Sequence, residues 1–408
     1  MTAFDSHEKT TTLRPLRILV LCYEYPPVGG GGGVGAQMYA EAWAAAGNEV
    51  LVLTGEAPDR PADTVESGVR VVRVSTPGKK LRATASIPTM AAYLGSAMAW
   101  LTRNRNAFRQ FDVINTHFVV PTGPLGWWAS RVLDLPNVLT IIGGDIYDPS
   151  KASSPHRHGV LRAMNRRLMN DADRVVAIST DTRGRAQELY SVTRSIEVIP
   201  YGFRPPDTDR QSAGRTDDEG FHLVAVGRLV KRKGFSFLIE AVSRLPDHVN
   251  LRLVGDGPLD AELRALARKT GVETRVEFLG FQNRRSILDL MANSDCFVLS
   301  SLHEGLGIVV QEAMFSGLPI VATDEGGQVD LVSDGEGGFL VSPGDSAALA
   351  AAVKRVMTEP GLAESFGSRN QAKINRLTGE AMSGEYIALF RNLLRERISA
   401  ATTQSLPR

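Results

Sequence analysis

The 408-residue sequence has little cysteine, almost no net charge and no long apolar run. Its two cysteines, Cys22 and Cys296, each lie in an apolar segment typical of a buried strand, so we expect no disulfide and a reducing, cytoplasmic environment. A net charge of +1 provides no bulk attraction for nucleic acid. The longest uncharged apolar segment, residues 87–101, is too short to span a bilayer. The first residues lack the apolar core of a signal peptide.

Short β-branched runs alternate with helical patterns along nearly the whole chain. Seven such runs precede residue 202, among them "RILVLC" and "EVLVLTG", and six follow residue 220. Nearly continuous apolar strands separated by helices are typical of parallel sheets that are covered on both faces. We therefore predict an α/β protein with two doubly wound, Rossmann-like domains that face each other across a cleft.

Composition suggests where the domains begin and end. The polar tail over residues 1–14 is expected to be disordered, and the two domains are predicted over residues 15–202 and 221–380. Residues 203–220 are rich in proline, glycine and charge and are predicted to form the linker. A last helix over residues 381–398 can pack on either domain, including back on the N-terminal one.

The segment "PPVGGGGGVG", residues 26–35, contains a run of five glycines. A dinucleotide fingerprint needs its first glycine directly after the strand, but "YEYPPV" intervenes here. The alternatives are a mobile surface loop, or a flexible loop at the carboxyl end of a strand that opens a helix from Val34 and lets bare backbone approach an anion. We prefer the second interpretation. The glycines concerned are Gly29, Gly30, Gly31, Gly32 and Gly33.

The segment "SLHEGLGIVVQEAMFSGLPIVAT" carries a sharper pattern. A helix is predicted to begin near residues 305–307, and the free N–H groups of its first turn form a site for phosphate oxygens. Glu312 lies about 8 Å further along that helix, where a carboxylate can accept hydrogen bonds from ribose hydroxyls. Glu304 precedes the helix and would face the group beyond the diphosphate.

Two cations follow the first strand of the same domain, in "VGRLVKRKGF". Arg228 and Lys233 would suit a diphosphate that departs with negative charge. Taken singly, these cations and Glu312 are equally well explained as solvated charges, and a glycine loop as a simple turn. Their combination at the strand ends of one domain indicates a binding site. A further strand-end loop, "VGDGP", has room for a base or ribose and contains Gly255, Asp256 and Gly257.

These segments, together with "VEFLGF" and the glycine pair at residues 326–327, resemble the donor domain of glycosyltransferase family 4, whose members are retaining enzymes with the GT-B fold. The resemblance extends from "RILVLCYEYPPVGG" to the final helix. It implies that the C-terminal domain holds a UDP- or GDP-linked sugar and that the N-terminal domain holds the acceptor. The glycine run would then close over the donor from the N-terminal domain.

The resemblance also implies roles for individual residues. Arg228 and Lys233 would hold the diphosphate and stabilise it as the leaving group, and Glu312 would bind the ribose. The residues assigned to the donor sugar and phosphate are Glu304 and the backbone of Gly305, Leu306 and Gly307.

Two strand ends of the first domain complete the predicted cleft. His117, in "NTHFVVPTG", resembles the family histidine that touches the donor sugar near the reaction centre, although a lone histidine is often structural. Asp145, in "TIIGGDIYD", is predicted to line the donor site, to bind an acceptor hydroxyl or to cap a turn. Many relatives carry a histidine before this aspartate, where this chain has Ile142 and Gly143. That departure predicts a difference in acceptor binding.

No residue obviously fits the role of a covalent nucleophile. The resemblance to the family implies same-face attack in which the departing phosphate takes the acceptor proton. We expect no metal and no other cofactor, because arginine, lysine and a helix N-terminus can neutralise the diphosphate. The Asp-x-Asp pair formed by Asp207 and Asp209 falls in the predicted linker and is interpreted as solvated charge. Three alternatives stay open: a sugar-nucleotide epimerase, a pyridoxal-dependent phosphorylase and a non-catalytic nucleotide-sugar sensor.

Residues 79–109 carry six basic side chains and no acidic one, and "HRHGVLRAMNRRLMN" is also basic and acid-free. One interpretation is a basic amphipathic surface that binds an anionic membrane and a lipid-linked acceptor. The other is that the apolar faces of these helices pack in the core and leave arginine in water. We favour the first: a cytoplasmic enzyme, peripheral at the inner face of the plasma membrane, that extends a saccharide or lipid-linked glycan for the cell envelope or an exopolysaccharide.

Overall fold

The computed structural model describes residues 14–78, 86–206 and 220–404. Most of the predicted tail and linker, including Asp207 and Asp209, and the basic residues Lys79, Lys80 and Arg82 lie outside the described residues. Arg14, the first described residue, forms an ion pair of 2.6 Å with Asp112. Two sheets follow along the chain, parallel except for one edge strand of the first, with helices on both faces, which confirms the predicted fold class.

The first sheet has eight strands in the order β3-β4-β2-β1-β5-β6-β7-β8. The chain winds outward in both directions from β1, so the order reverses between β1 and β5. The register pairs Cys22 with His117 and brings the carboxyl ends of these two strands together. In open α/β sheets ligands bind at such a switch point. The strands are β1 Arg17–Cys22, β2 Glu49–Gly55, β3 Asp63–Glu66, β4 Val69–Val74, β5 Val113–His117, β6 Asn137–Ile141, β7 Arg174–Ala177 and β8 Ile196–Val198.

The second sheet has six parallel strands in the order β11-β10-β9-β12-β13-β14. Its switch point lies between β9 and β12. The loop that carries the cationic residues follows β9, and the loop that carries Glu304 follows β12, so these two loops are neighbours. The strands are β9 Phe221–Val226, β10 Val249–Val254, β11 Val276–Gly280, β12 Cys296–Leu299, β13 Ile320–Thr323 and β14 Gly338–Val341.

The helices cover the faces of both sheets. Those of the first domain are α1 Gly31–Ala45, α2 Ile87–Arg103, α3 Gly123–Leu133, α4 Gly159–Asp171 and α5 Thr180–Tyr190. Those that follow are α6 Phe235–Val242, α7 Asp260–Lys269, α8 Arg284–Ala292, α9 Ile308–Phe315, α10 Gln328–Leu331, α11 Ser346–Thr358, α12 Leu362–Ile374 and α13 Gly379–Gln404.

The last helix, α13, packs back on the first domain. The ring of Tyr386 meets that of Tyr39 edge-on at 4.6 Å, and Phe390 meets Trp43 at 5.3 Å. The hydroxyl of Tyr386 also forms a hydrogen bond of 2.8 Å with Thr140 on β6. These contacts bury the aromatic face of α13 against α1 and the first sheet, so the end of the chain ties the two domains together.

The two basic helical segments of the first domain differ in what they expose. In α2, Tyr93 and Leu101 are fully buried, and four further apolar residues pack partly buried on the same core: Met90, Leu94, Met98 and Trp100. Ile87, the first residue of the helix, is 82% exposed. This packing corresponds to the second interpretation of that segment. In α4, Leu168 and Met169 are likewise buried, but the helix exposes three arginines, Arg162, Arg166 and Arg167, and Val160 at its start is 83% exposed. In the described parts of the chain, each helix is too short or too polar to cross a membrane.

Candidate functional site

The loop between β12 and α9 meets the first domain backbone to backbone. Gly307 is the N-cap of α9 with a left-handed φ of 91°, and the helix begins at Ile308. A Cβ on Gly305 would lie 2.2 Å from the carbonyl oxygen of Ile142, and one on Gly143 would lie 2.8 Å from Cα of Gly305. Only glycine permits this approach, so these residues let the two halves of the cleft touch at the start of α9.

Glu304 is the most strongly paired carboxylate of this loop. Its Oε1 lies 2.5 Å from Nζ of Lys233 and accepts a hydrogen bond of 2.7 Å from Ser301, and its Oε2 lies 3.7 Å from Arg232. Burial alone would raise the pKa of Glu304, but the charges of Lys233 and Arg232 and these hydrogen bonds lower it to about 2. Glu304 is therefore a fixed anion at neutral pH.

Lys233 and Arg232 belong to a short 3-10 helix, Lys231–Lys233, that follows β9. Arg232 donates 3.2 Å to the carbonyl of His303 and lies 3.8 Å from the buried Asp148 of the first domain. Sequence reasoning selected Arg228 together with Lys233. The side chain of Arg228 is exposed, and the guanidinium beside Glu304 is that of Arg232, which was not selected. The basic run "KRK" is the only sequence signal that favours Arg232, and it does not say which of its three cations turns inward.

Glu312 lies within α9 and is also buried. Its Oε1 accepts a hydrogen bond of 3.0 Å from Nε of Arg284, which donates 2.6 Å to the carbonyl of Arg204 as well. Burial raises the pKa of Glu312, and Arg284 opposes that rise. The partner Arg284 begins α8 and carries no motif that would have identified it from the sequence.

The loop of Gly255, Asp256 and Gly257 packs directly on the loop after β9. The N–H of Leu229 donates 2.8 Å to the carbonyl of Asp256, and Leu259 donates 3.1 Å to the carbonyl of Leu229. The predicted strand-end loops of this domain are thus hydrogen-bonded to each other. Leu306 is buried at the centre of the neighbouring loop.

The glycine run differs from the prediction. Helix α1 begins at Gly31 and not at Val34, so three of the five glycines form its first turn. Only glycine fits in this turn, because a Cβ on Gly32 would lie 2.4 Å from Ile142 and 2.8 Å from Phe118. The N–H of Gly30 donates 3.0 Å to the carboxylate of Glu24, and Gly31 faces Ile308 at the start of α9. The helix N-termini of α1 and α9 therefore approach each other across the cleft.

His117 ends β5 and is fully buried. Its ring lies 6.2 Å from that of Tyr39 and is stacked 6.3 Å from that of Tyr201. Its Nδ1 is 2.8 Å from Oδ1 of Asn115. Burial lowers the pKa of His117 to about 3, so the imidazole is neutral.

Asp145 is buried, and its carboxylate accepts hydrogen bonds from two loops. One oxygen accepts 2.7 Å from the N–H of Val119, and the other accepts 3.1 Å from the N–H of Ile142. These are the hydrogen bonds of a turn cap, one of the three roles left open by the sequence. Burial raises the pKa of Asp145 to about 6, against the effect of the backbone N–H groups.

A second set of polar contacts joins the domains beside Glu304. Asp181 accepts a bond of 3.0 Å from His303, and the N–H of Thr180 donates 2.6 Å to Asp330. Arg185, on the same helix α5, pairs with Glu325. The sequence offered no signal for these pairs, because each joins segments that are more than a hundred residues apart. Among the described residues, no group of three or more histidine, cysteine, aspartate or glutamate side chains is arranged to hold a metal.

The sequence matches two family models that together cover most of the chain. "Glycosyl transferase 4-like domain" matches residues 30–202, and "Glycosyl transferases group 1" matches residues 207–373. The chain is 30% identical to glycogen synthase of Mycobacterium tuberculosis over 393 residues, 90% of this chain and 91% of that protein. The chain belongs to glycosyltransferase family 4. It is a glycosyltransferase that takes its sugar from a nucleotide sugar.

Solved structures agree with this assignment at the level of fold. Sucrose-phosphate synthase from Thermosynechococcus elongatus has a TM-score of 0.81 at 24% identity, over 93% of this chain and all of that one. Anabaena HepE in complex with UDP and glucose has a TM-score of 0.72 at 23% identity, over 92% of this chain and all of that one. The predicted GT-B architecture of this glycosyltransferase is confirmed.

Proposed function

We propose that this glycosyltransferase is a retaining enzyme that moves a sugar from a UDP- or GDP-linked donor to a saccharide or lipid-linked acceptor. The observation that carries the proposal is the loop before α9, where Lys233 and Arg232 lie against Glu304 just ahead of the helix N-terminus and beside the first domain. A helix N-terminus and two cations suit the oxygens of a pyrophosphate. HepE, which shares the fold, binds UDP and glucose, and this supports a nucleoside diphosphate as the leaving group.

The ion pairs of the site suggest how a donor is accommodated. Lys233 is paired with Glu304 and Arg284 with Glu312, so each cation has a carboxylate partner within the protein. A pyrophosphate would compete with Glu304 for Lys233 and leave that carboxylate to accept hydrogen bonds from the sugar. Ribose hydroxyls would likewise donate to Glu312. The charge of the donor thus replaces a charge that the protein already supplies.

In the proposed reaction the bond between the anomeric carbon and the phosphate oxygen breaks, and the acceptor oxygen bonds to the same face of that carbon. The acceptor proton passes to the departing phosphate. Lys233, Arg232 and the α9 N-terminus would stabilise the diphosphate without a metal. His117 is neutral and Asp145 is occupied by backbone N–H groups, which is consistent with a reaction that uses neither as a nucleophile.

We also propose a cytoplasmic enzyme that contacts an anionic membrane through α4 and adds to an envelope or exopolysaccharide glycan. The support is the exposure of Arg162, Arg166, Arg167 and Val160 on that helix. We expect the protein to float with anionic liposomes at low salt and an Arg166→Glu, Arg167→Glu variant to remain in solution. Equal flotation of both proteins, or of neither, would contradict this part of the proposal.

The donor is tested by a thermal-shift screen of UDP- and GDP-sugars, followed by turnover of the best binder with saccharide acceptors. We expect one donor to raise Tm and to be consumed only with an acceptor, and NMR of the product to show the donor's anomeric configuration. An inverted product excludes the retaining mechanism. Conversion of the donor without acceptor indicates an epimerase, and binding without consumption indicates a sensor.

A further inference from the structure

The hydrogen bonds around His117 are unequal on the two sides of its ring. Nδ1 lies 2.8 Å from Oδ1 of Asn115. Nε2 is buried and has no hydrogen-bond partner among the residues that the structure describes. Buried polar atoms without a partner are rare in folded proteins, and each needs an explanation. For His117 the explanation depends on which nitrogen carries the proton.

The orientation of the Asn115 amide answers that question. Its Nδ2 lies 3.1 Å from Oγ1 of Thr140 and 3.4 Å from the carbonyl of Val138, both of which accept hydrogen bonds. A flipped amide would place an oxygen against the carbonyl of Val138, so Oδ1 must be the atom that faces His117. An amide oxygen only accepts, and Nδ1 therefore carries the proton. Nε2 of a neutral imidazole then presents a lone pair.

The Asn115 amide is itself held by the end of the chain. Thr140, which receives the hydrogen bond from Asn115, shares a hydrogen bond of 2.8 Å with the hydroxyl of Tyr386 on α13. Tyr386 is buried against Tyr39 and Trp43 of α1. A continuous series of side chains thus runs from the last helix through β6 and β5 to the ring of His117.

The groups around the ring leave it neutral. Tyr39 faces it from α1, Tyr201 stacks on it from the end of the first domain, and Cys22 is its register partner on β1. Asp145 lies on the neighbouring loop, where its carboxylate is bound by the N–H of Val119. Burial dominates and lowers the pKa of His117 to about 3. The tautomer is therefore the same across the neutral pH range.

We propose that Asn115, held by Thr140 and Tyr386, is a positioning residue that fixes His117 in the tautomer with its proton on Nδ1, so that Nε2 accepts a hydrogen bond from a hydroxyl of the bound donor sugar. This inference rests on the proposed function, because it requires His117 to meet the donor. His117 is fully buried and the ring of Tyr39 on α1 faces it, so α1 must move on donor binding for a hydroxyl to reach Nε2.

The tautomer is read directly by NMR of protein labelled with ¹⁵N-histidine, with the His117 signals assigned from a His117→Gln variant. We expect Nδ1 to be protonated and Nε2 to be bare from pH 6 to pH 9. In Asn115→Leu, which removes the acceptor at similar volume, we expect the proton to redistribute between the nitrogens. Turnover of the donor should fall about tenfold, because a rate change of that size corresponds to the free energy of one hydrogen bond.

A second variant, Asn115→Asp, keeps an acceptor but adds a negative charge, which raises the pKa of His117. We expect it to keep the proton on Nδ1 and to acquire a pH-dependent turnover that is low in acid and recovers as pH rises. Asn137→Leu is the matched control. Asn137 is a buried asparagine of the same sheet that accepts 2.7 Å from Thr116, and its loss should change neither the His117 tautomer nor the pH profile.

A wild-type spectrum with the proton on Nε2 overturns the proposal, and so does an Asn115→Leu variant with an altered tautomer and unaltered turnover. An Asn115→Asp variant whose profile matches the wild type also overturns it. The spectra require no donor, so they decide the tautomer even if every nucleotide sugar fails as a substrate. That failure would count against the proposed function alone.

Discussion

The two halves of the cleft hold their polar groups in different ways. In the C-terminal domain, Glu304 and Glu312 are buried against lysine and arginine. In the N-terminal domain, Asp145 is buried against backbone N–H groups alone. Cations lower the pKa of Glu304 to about 2, whereas burial raises that of Asp145 to about 6. Burial also prevails at Glu312, whose pKa is raised although Arg284 opposes the rise.

This difference matches what each half has to bind. A pyrophosphate is a charged ligand, and the C-terminal half has lysine and arginine whose carboxylate partners such a ligand can replace. In the N-terminal half, His117 is neutral and Asp145 is bound by backbone N–H groups, as suits the recognition of sugar hydroxyls. The two halves meet through the backbones of Gly143 and Gly305, so these two kinds of group lie on adjoining sides of one cleft.

The largest expected effect comes from removing a charge from the C-terminal half. We expect Lys233→Ala to lower turnover of the nucleotide sugar by about 10²–10³, because a preorganised ammonium group that donates hydrogen bonds to the leaving group is lost. The matched control is Lys231→Ala, which removes an exposed lysine from the same 3-10 helix. Steady-state kinetics at saturating donor measure the effect, and Tm shows whether each variant is folded. Equal losses in the two variants would mean that Lys233 contributes only general positive charge.

The sequence was informative about this fold where it was apolar. All thirteen predicted strands are present, because buried parallel strands are continuous β-branched runs. One further strand, β3, has the sequence "DTVE" and was not predicted. It pairs antiparallel at the edge of the sheet, where no apolar signal is required. The early start of α1 was missed for a similar reason, since glycine has poor helix propensity and packing against Phe118 and Ile142 overrides it.

The site was predictable only in part. Glu304, Lys233 and Glu312 were selected from one motif and a cationic run, and Glu304 and Lys233 are in direct contact. Arg232 and Arg284, which complete the ion pairs, were not selected. Pairing across separate elements depends on which side chain turns inward, and neither spacing nor composition encodes that direction.

The pH dependence of stability sharpens the comparison between Glu304 in the C-terminal half and Asp145 in the N-terminal half. The pKa of Glu304 is lower in the folded than in the unfolded state, so its ionisation stabilises the fold above about pH 4.5, and this contribution is lost as pH falls towards 2. We expect Glu304→Gln to be destabilised at pH 7 by on the order of 3 kcal/mol and the deficit to shrink in acid. Urea unfolding between pH 3 and pH 7 measures it, and Glu262→Gln on the exposed side of α7 is the control.

Relative to wild type, the stability of Asp145→Asn should change with pH in the opposite direction to that of Glu304→Gln, and by a smaller amount. The pKa of Asp145 is higher in the folded state, so the folded protein binds its proton more tightly, and stability falls as pH rises from about 4 to about 6. An asparagine does not titrate, so the stability of the variant should not fall over this pH range. In wild type the fall should be on the order of 2–3 kcal/mol, measured in the same urea series. Because one amide oxygen cannot replace two carboxylate oxygens, the slopes are compared and not the absolute stabilities. Parallel slopes for wild type and Asp145→Asn would show that backbone N–H groups alone hold this carboxylate ionised, and the contrast between the two halves of the cleft would then disappear.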